Sequence, residues 1–287
     1  MPPRRTKDDI KVDHLYHFDP SVIEEHRVGK RGPCTIVMVG ARGTGKSTLI
    51  EDLMRKCKNV PRGLIITGTR AAADNFSKFF PKICILDAKN PGLLDRINDI
   101  IKEQQKYVKK IKKGDTTTDY SMFILFDDCG YDKKLVNNIT MNELFMNGRH
   151  YKIMIIMAIQ FAKSIPPSIR INVDYLFVMR EPGISPRKKL FEEYAGIAKK
   201  FDIFCEIMDK CTTDYGCLVI DKTVQANDIT DALFYYKANI DKSPFRVGMP
   251  QLWEYQDKYY KSSDDEDSDD EDSIVIKKKP KAIKNKR

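Results

Sequence analysis

The sequence has a single tryptophan, seven scattered cysteines and no uninterrupted apolar run longer than Ile153 to Ile159. A membrane-spanning helix needs about 18 or more consecutive apolar residues, so none is expected. The cysteines, at 34, 57, 84, 129, 205, 211 and 217, are odd in number and unpaired in spacing, a pattern that suits a reducing compartment. Cys205, Cys211 and Cys217 are six residues apart, wider than the gaps of a zinc knuckle. No segment repeats with a period of 20–50 residues, which argues against a solenoid or propeller. The first residues, MPPRRTKDD, are polar and basic with no apolar stretch behind them, so no secretory leader is expected.

What is present is a chain of 287 residues, 41% hydrophobic and 32% charged, enough for one large domain with a real core. Lysine and arginine number 50 against 41 acidic residues. From Asp264 to Asp272 eight of nine residues are acidic, whereas from Lys277 to Arg287 seven are basic. That tail is close to neutral, and residues 1–263 carry a net charge of +10. A body this basic suits a polyanionic partner, since each phosphate contact releases counterions. Residues 261–287 have the composition of a disordered tail. The acidic run reads as a solvating end or a DNA mimic. The basic end reads as a nuclear import signal or a tether to DNA or capsid, and Ser262, Ser263 and Ser268 would suit an acid-directed kinase.

Residues 1–32 read as a polar arm and residues 33–260 as the folded domain. In that domain short runs of Val, Ile, Leu and Phe alternate with stretches of helical period, the pattern of a parallel sheet with helices on both faces. Strands are predicted at 34–39, 63–67, 83–86, 121–126, 152–159 and 173–179, with weaker candidates at 216–220 and 231–236. Helices are predicted near 46–57, 71–79, 91–113, 133–146 and 186–200. In 91–113, Leu93, Ile97, Ile100, Ile101, Tyr107, Val108 and Ile111 form one face, and Lys102, Lys106, Lys109 and Lys113 lie opposite. The lysine stripe reads first as a solvated face and second as a nucleic-acid track. Past residue 201 the pattern is less clear, apart from an aromatic group of Trp253, Tyr255, Tyr259 and Tyr260.

The string CTIVMVGARGTGKSTLIEDL contains Gly40-x4-Gly45-Lys46-Ser47 between a buried-strand pattern and a helix pattern. This is a phosphate-binding loop in its required context. Gly40, Gly43 and Gly45 allow positive φ and close approach of the backbone to an oxyanion, and the helix N-terminus favours negative charge. Gly40, Gly43, Thr44, Gly45, Lys46, Ser47 and Thr48 form the expected ATP-binding set, with Lys46 on the β- and γ-phosphates and Ser47 on Mg2+.

Mg2+ also needs an acidic strand end, and MFILFDDCG supplies one. Asp127 is the expected metal carboxylate, and Asp128 takes the place of a general base or water-orienting group. A third buried strand, IMIIMAIQ, ends in Gln160, a candidate sensor of the γ-phosphate. Asp127-Asp128-Cys129-Gly130 also fits the D-x-x-G of GTPases, but no N/T-K-x-D guanine-reading motif follows. The length is too short for a helicase of two RecA-like halves, and a single-core ring ATPase is the simplest option left. His14 and His17, beside Asp13 and Asp19 in a polar arm, do not amount to a metal site.

The order GARGTGKS, FILFDDC, NGRHYKIMIIMAIQ and PPSIRINVDYLFVMRE resembles the genome-packaging ATPases of nucleocytoplasmic large DNA viruses, relatives of the FtsK/HerA motors. The similarity covers roughly residues 33–255. It implies a RecA-like P-loop core with an added antiparallel strand, a homomeric ring of five or six subunits, and ATP-driven movement of double-stranded DNA into a preformed capsid. It places the protein at viral assembly sites in the host cytoplasm, or in the virion, docked to a capsid or inner-membrane component. It also implies roles. Lys46 and Ser47 match the nucleotide loop, Asp127 the metal-binding acid, Asp128 the catalytic acid and Gln160 the sensor. Arg149 matches an arginine finger acting across a subunit boundary, in competition with Arg42, Arg170 and Arg180. The relatives commonly have Glu where this chain has Asp128, so the shorter carboxylate must sit nearer the water. His150 is expected to orient the NGRH turn.

Overall fold

The central strands are buried on both faces because the sheet separates two apolar layers. Along β2 (Thr35–Val39), Val37 and Val39 enter one layer while Ile36 and Met38 enter the other. β5 (Met122–Asp127) divides in the same way, with Ile124 and Phe126 opposite Phe123 and Leu125. A strand that must be apolar on both sides reads as a continuous run, as the sequence shows. The computed structural model describes residues 15–129, 133–162, 165–225 and 228–259. The acidic-then-basic tail, Gly130, Tyr260, His14 and the first part of the N-terminal arm lie outside these residues.

In chain order the remaining strands are β1 (Tyr16–His17), β3 (Arg62–Thr67), β4 (Ile85–Asp87), β6 (Ile153–Ile159), β7 (Tyr175–Val178), β8 (Gly216–Asp221) and β9 (Leu233–Lys237). They form one nine-stranded sheet in the order β1-β9-β8-β7-β2-β6-β5-β3-β4. From β7 through β2 to β4 every pairing is parallel. β8 is antiparallel to both β7 and β9, so the antiparallel addition is a hairpin-like extension at one side.

The helices are α1 (Ser21–Val28), α2 (Lys46–Lys56), α3 (Arg70–Ser77), α4 (Leu93–Lys112), α5 (Lys133–Val136), α6 (Ile139–Asn147), α7 (Pro167–Arg170), α8 (Ile184–Tyr194), α9 (Phe201–Cys211) and α10 (Pro250–Tyr259). α1, α2 and α3 pack into one apolar layer, and α4, α6, α8 and α9 into the other. On α4, Ile97, Ile100 and Ile101 are buried and Lys102, Lys106, Lys109 and Lys113 are exposed. The expected 133–146 helix is two helices, with Asn138 capping the second by accepting from the Thr140 amide at 2.8 Å.

Residues expected to lie in the polar arm join the folded sheet. β1 pairs in parallel with β9, and Phe18 and Ile23 are buried. The buried Arg27 guanidinium donates to Glu24, to Asp119 Oδ2 at 2.5 Å and to Ser121 Oγ at 2.6 Å, tying α1 to the start of β5. The apolar residues of this segment were too sparse to show a period, yet Phe18 and Ile23 enter the core. The Phe18 ring meets Tyr175, Phe177, Phe234 and Tyr236. Phe18→Ala should therefore lower stability by about 3 kcal/mol, measured by urea denaturation. A change below about 0.5 kcal/mol would show that the segment is a detachable arm.

Candidate functional site: a phosphate loop facing two carboxylates

All the strands from β7 to β4 run the same way, so their C-terminal ends share one edge, where open α/β sheets bind ligands. Val39 is level with Ile159, and Asp127 with Ala158. The Gly40 amide donates to the Ile159 carbonyl at 3.1 Å, and the Asp128 amide to the Ala158 carbonyl at 3.1 Å. β6 lies between the loop strand and the acidic strand. Gln160, at its end, is thus inserted between them. The loop strand and the acidic strand are therefore not direct neighbours.

Each glycine of the loop has its own reason. A Cβ on Gly40 would lie 2.5 Å from the Met179 Cβ and 2.7 Å from Thr44 Oγ1, a gap no side chain fits. Gly43 and Gly45 have φ of +80° and +99°, in the left-handed region. Gly45 caps α2 without any side-chain acceptor, so the first-turn amides are not closed off by the protein's own oxygen. Thr44 Oγ1 donates to the Ala41 carbonyl at 2.8 Å and holds the loop's curl. Ser47 and Thr48 are exposed in the first turn of the helix.

The Lys46 ammonium turns back into the loop, donating to the Gly40 carbonyl at 2.5 Å and to the Ala41 carbonyl at 3.0 Å. Burial pulls its pKa below the ordinary lysine value, against the attraction of Asp128 and Asp127. Asp127 is buried, and Thr67 Oγ1 donates to its Oδ2 at 3.4 Å. Burial first, and the neighbouring Asp128 charge second, push its pKa up to about 6, partly offset by Lys46. Asp128 is half-buried with φ of +57°, an uncommon conformation for a residue with a side chain. Its Oδ2 accepts from Gln160 Nε2 at 2.7 Å. The sequence-expected Lys46, Asp127, Asp128 and Gln160 are therefore brought to one edge.

The residues fit a magnesium nucleotide. The donor set is oxygen only, from the Ser47 hydroxyl and the Asp127 carboxylate, as Mg2+ prefers. Asp127 is a buried acid held near neutrality with a single long hydrogen bond. A cavity of about 900 Å3 adjoins Asp128 and Gln160 and is walled by Phe161, Ile165, Glu181 and Lys189 among others.

Arg149 lies elsewhere. It belongs to the 3-10 turn Gly148–Tyr151 before β6, at the opposite end of a seven-residue strand from Gln160. Roughly 23 Å of strand separates the two ends. Its Nη2 donates to Asp174 Oδ1 at 2.5 Å, while Asp174 Oδ2 accepts from the Thr35 amide at 2.8 Å. Within one subunit it does not reach the site. His150 is exposed in the same turn. Arg170 pairs with Glu193 at 2.6 Å, whereas Arg42 in the loop and Arg180 at the end of β7 are exposed. His17 packs its ring against Tyr235 and Tyr236.

Sequence reasoning passed over Met179, which closes on Gly40, and Thr67, which holds Asp127. Both stand at the ends of predicted strands on the same edge, which is the signal that could have found them.

Residues 26–234 match the family described as Poxvirus A32 protein. The chain belongs to the Poxvirus A32 protein family. This A32 chain is 34% identical to the uncharacterized protein 075L of Invertebrate iridescent virus 6, over 88% of its own length and 99% of that protein. It is 32% identical to the uncharacterized protein L437 of Acanthamoeba polyphaga mimivirus, over 79% of each. Among solved structures, the A32 fold is similar to B204, the DNA-packaging ATPase from Sulfolobus turreted icosahedral virus. The TM-score is 0.52 and the identity 15%, covering 72% of this chain and 98% of B204. It is also similar to the conjugation coupling protein TcpA of pCW3, with a TM-score of 0.53 and 13% identity, covering 78% and 69%. The A32 chain thus has the P-loop ATPase fold that its motif order led us to expect.

The Asp127 charge state sets a pH-dependent stability. Between its unfolded value of 3.8 and about 6 the folded chain holds a proton that the unfolded chain has released. Stability therefore falls as pH rises through that window and is constant above it. Asp127→Asn should stabilise the nucleotide-free protein by about 3 kcal/mol at pH 8 and give no gain at pH 4. Urea denaturation at the two pH values checks this. An equal effect at both would rule out the buried charge as the cause.

Proposed function

We propose that this A32 family protein is a magnesium-dependent ATPase whose hydrolysis moves double-stranded DNA into a preformed capsid. The observation that carries the ATPase reading is the convergence of Lys46, Asp127, Asp128 and Gln160 on the glycine loop at one sheet edge. In this reading the loop amides and Lys46 hold the β- and γ-phosphates, and Ser47 and Asp127 hold the metal. Bound Mg2+ would neutralise charge developing on the phosphate oxygens. Asp128 accepts the proton of the attacking water, and Gln160, already donating to that carboxylate, fixes its direction. The loop's hydrogen bonds to Lys46 are exchanged for phosphate contacts on binding.

Phosphoryl transfer depends on preorganised cations around the leaving γ-phosphate. Arg149 is the proposed trans-acting cation. Its position remote from its own site suits a ring, where the edge far from one phosphate loop can face the next subunit's loop. The proposal requires a homomeric ring of five or six copies. Duplex DNA is supported by the net charge and by the exposed lysines on α4, and the capsid or inner-membrane dock by the kinship with viral proteins alone. The proposed location is the assembly site in the infected cell's cytoplasm, with the virion and, through the basic tail, the nucleus as further compartments. Among the described residues no helix is long and apolar enough to cross a membrane.

Duplex DNA should raise the ATPase rate of the intact protein, and Lys46→Ala should lower that rate by about 10²-fold or more. Unchanged turnover on DNA, with nucleotide still bound, would favour an ATP-gated scaffold over a motor. Arg149→Ala should be inactive by itself, and mixing it with Lys46→Ala should restore part of the activity, because one interface then combines an intact loop with an intact arginine. No recovery on mixing would assign Arg149 to the Asp174 ion pair alone.

A further inference from the structure

Tyr215 is an aromatic side chain in an unusual place. It follows α9 and precedes β8, in the turn that leads from the last helix of the core into the antiparallel extension. Asp214 and Tyr215 have φ of +48° and +60°, two successive residues with side chains in the left-handed region. For a bulky residue that is a true outlier, and such strain persists only where the surroundings enforce it. The enforcement is visible on both sides. The Gly216 amide donates to the Thr213 carbonyl at 2.8 Å, and a Cβ on Gly216 would lie 2.4 Å from the Cys211 carbonyl oxygen. Lys237 donates to the Asp214 carboxylate from the neighbouring strand.

The turn places the ring against the phosphate loop. A Cβ built on Gly45 would lie 3.5 Å from the Tyr215 Cδ1 and 3.7 Å from its Cβ, ordinary contact distances. Even so, Tyr215 is 67% exposed. The ring is held beside the glycine that begins α2, with most of its surface open to solvent. An aromatic ring fixed in this way contributes little to the core and presents a flat apolar face next to the phosphate cradle. A triphosphate gripped by the loop carries its ribose and base outward from that cradle, and every base has a π-face that can stack on such a ring.

We propose that Tyr215 is the platform on which the base of the bound nucleoside triphosphate stacks, an affinity element separate from the phosphate loop. The proposal rests on the nucleotide-binding reading above. It separates two parts of the ligand by chemistry. Gly40, Gly43, Gly45 and Lys46 read the phosphates, while Tyr215 reads the base by its face, without hydrogen-bond discrimination.

The test compares ATP with inorganic tripolyphosphate, each with Mg2+, on the full-length protein by calorimetry. Three variants are used: Tyr215→Gly, Tyr215→Phe and Tyr215→Trp. Glycine is at ease at φ of +60°, so Tyr215→Gly removes the ring and relaxes the turn; its melting temperature should not fall. ATP affinity of Tyr215→Gly should drop about tenfold, with tripolyphosphate affinity unchanged, and Tyr215→Phe and Tyr215→Trp should retain ATP affinity. ATP affinity equal to the parent's in Tyr215→Gly would overturn the platform. So would an equal loss for both ligands, which would make the ring a prop for the loop. If the parent protein binds neither ligand, the nucleotide reading itself falls and the platform with it.

Discussion

The parallel register of β2, β6 and β5 is the constraint on which the site depends. Pairing Val39 with Ile159 and Ala158 with Asp127 puts a glycine turn, a glutamine and two carboxylates at the ends of three neighbouring strands. Because side chains alternate faces with a period of two, a slip of one residue in β5 would exchange its two apolar faces and move Asp127 off the edge. The register is held by packing. Ile124 and Phe126 fill one layer and Phe123 and Leu125 the other, each ring and branch fitted to its own neighbours.

The site built on this register is poised against its own charges. Asp127 and Asp128 are adjacent carboxylates, and Lys46 is a cation withdrawn from water. The ammonium is satisfied by two loop carbonyls, and burial with the neighbouring Asp128 charge pushes the Asp127 pKa up to about 6. In the proposed function, a triphosphate with a divalent cation would supply anionic oxygens to the lysine and positive charge to the acids. The opposed charges are concentrated on three side chains, Lys46, Asp127 and Asp128.

The parallel core was legible because buried strands announce themselves as short continuous apolar runs and because the glycine loop has few other uses. The site acids and Gln160 were legible for the same reason, each being the polar residue that ends such a run. Strand order was not. Nothing in the linear sequence says that β6 inserts between β2 and β5, since that follows from crossover connections and packing. α9 was missed although Phe204, Ile207, Met208 and Cys211 are buried with helical spacing, because its apolar density hid the polar face. The entry of residues 15–28 into the fold was missed because Phe18 acts through partners more than 100 residues away, among them Tyr175 and Phe234. Tyr215 had no signal at all, since its meaning lies in two backbone angles and a neighbour from a distant loop.

The helix that opens with Lys46 is bolted at its middle and far end to the antiparallel extension. Asp52 accepts from the Tyr236 hydroxyl at 2.5 Å and from the Asn239 amide at 3.2 Å. Arg55 donates to the carbonyls of Asp241 and Ser243 and stacks its guanidinium 4.0 Å over the Phe245 ring. A shift of the glycine turn would therefore be passed along α2 to residues 236–245, on the side of the sheet where β8 runs antiparallel to its neighbours.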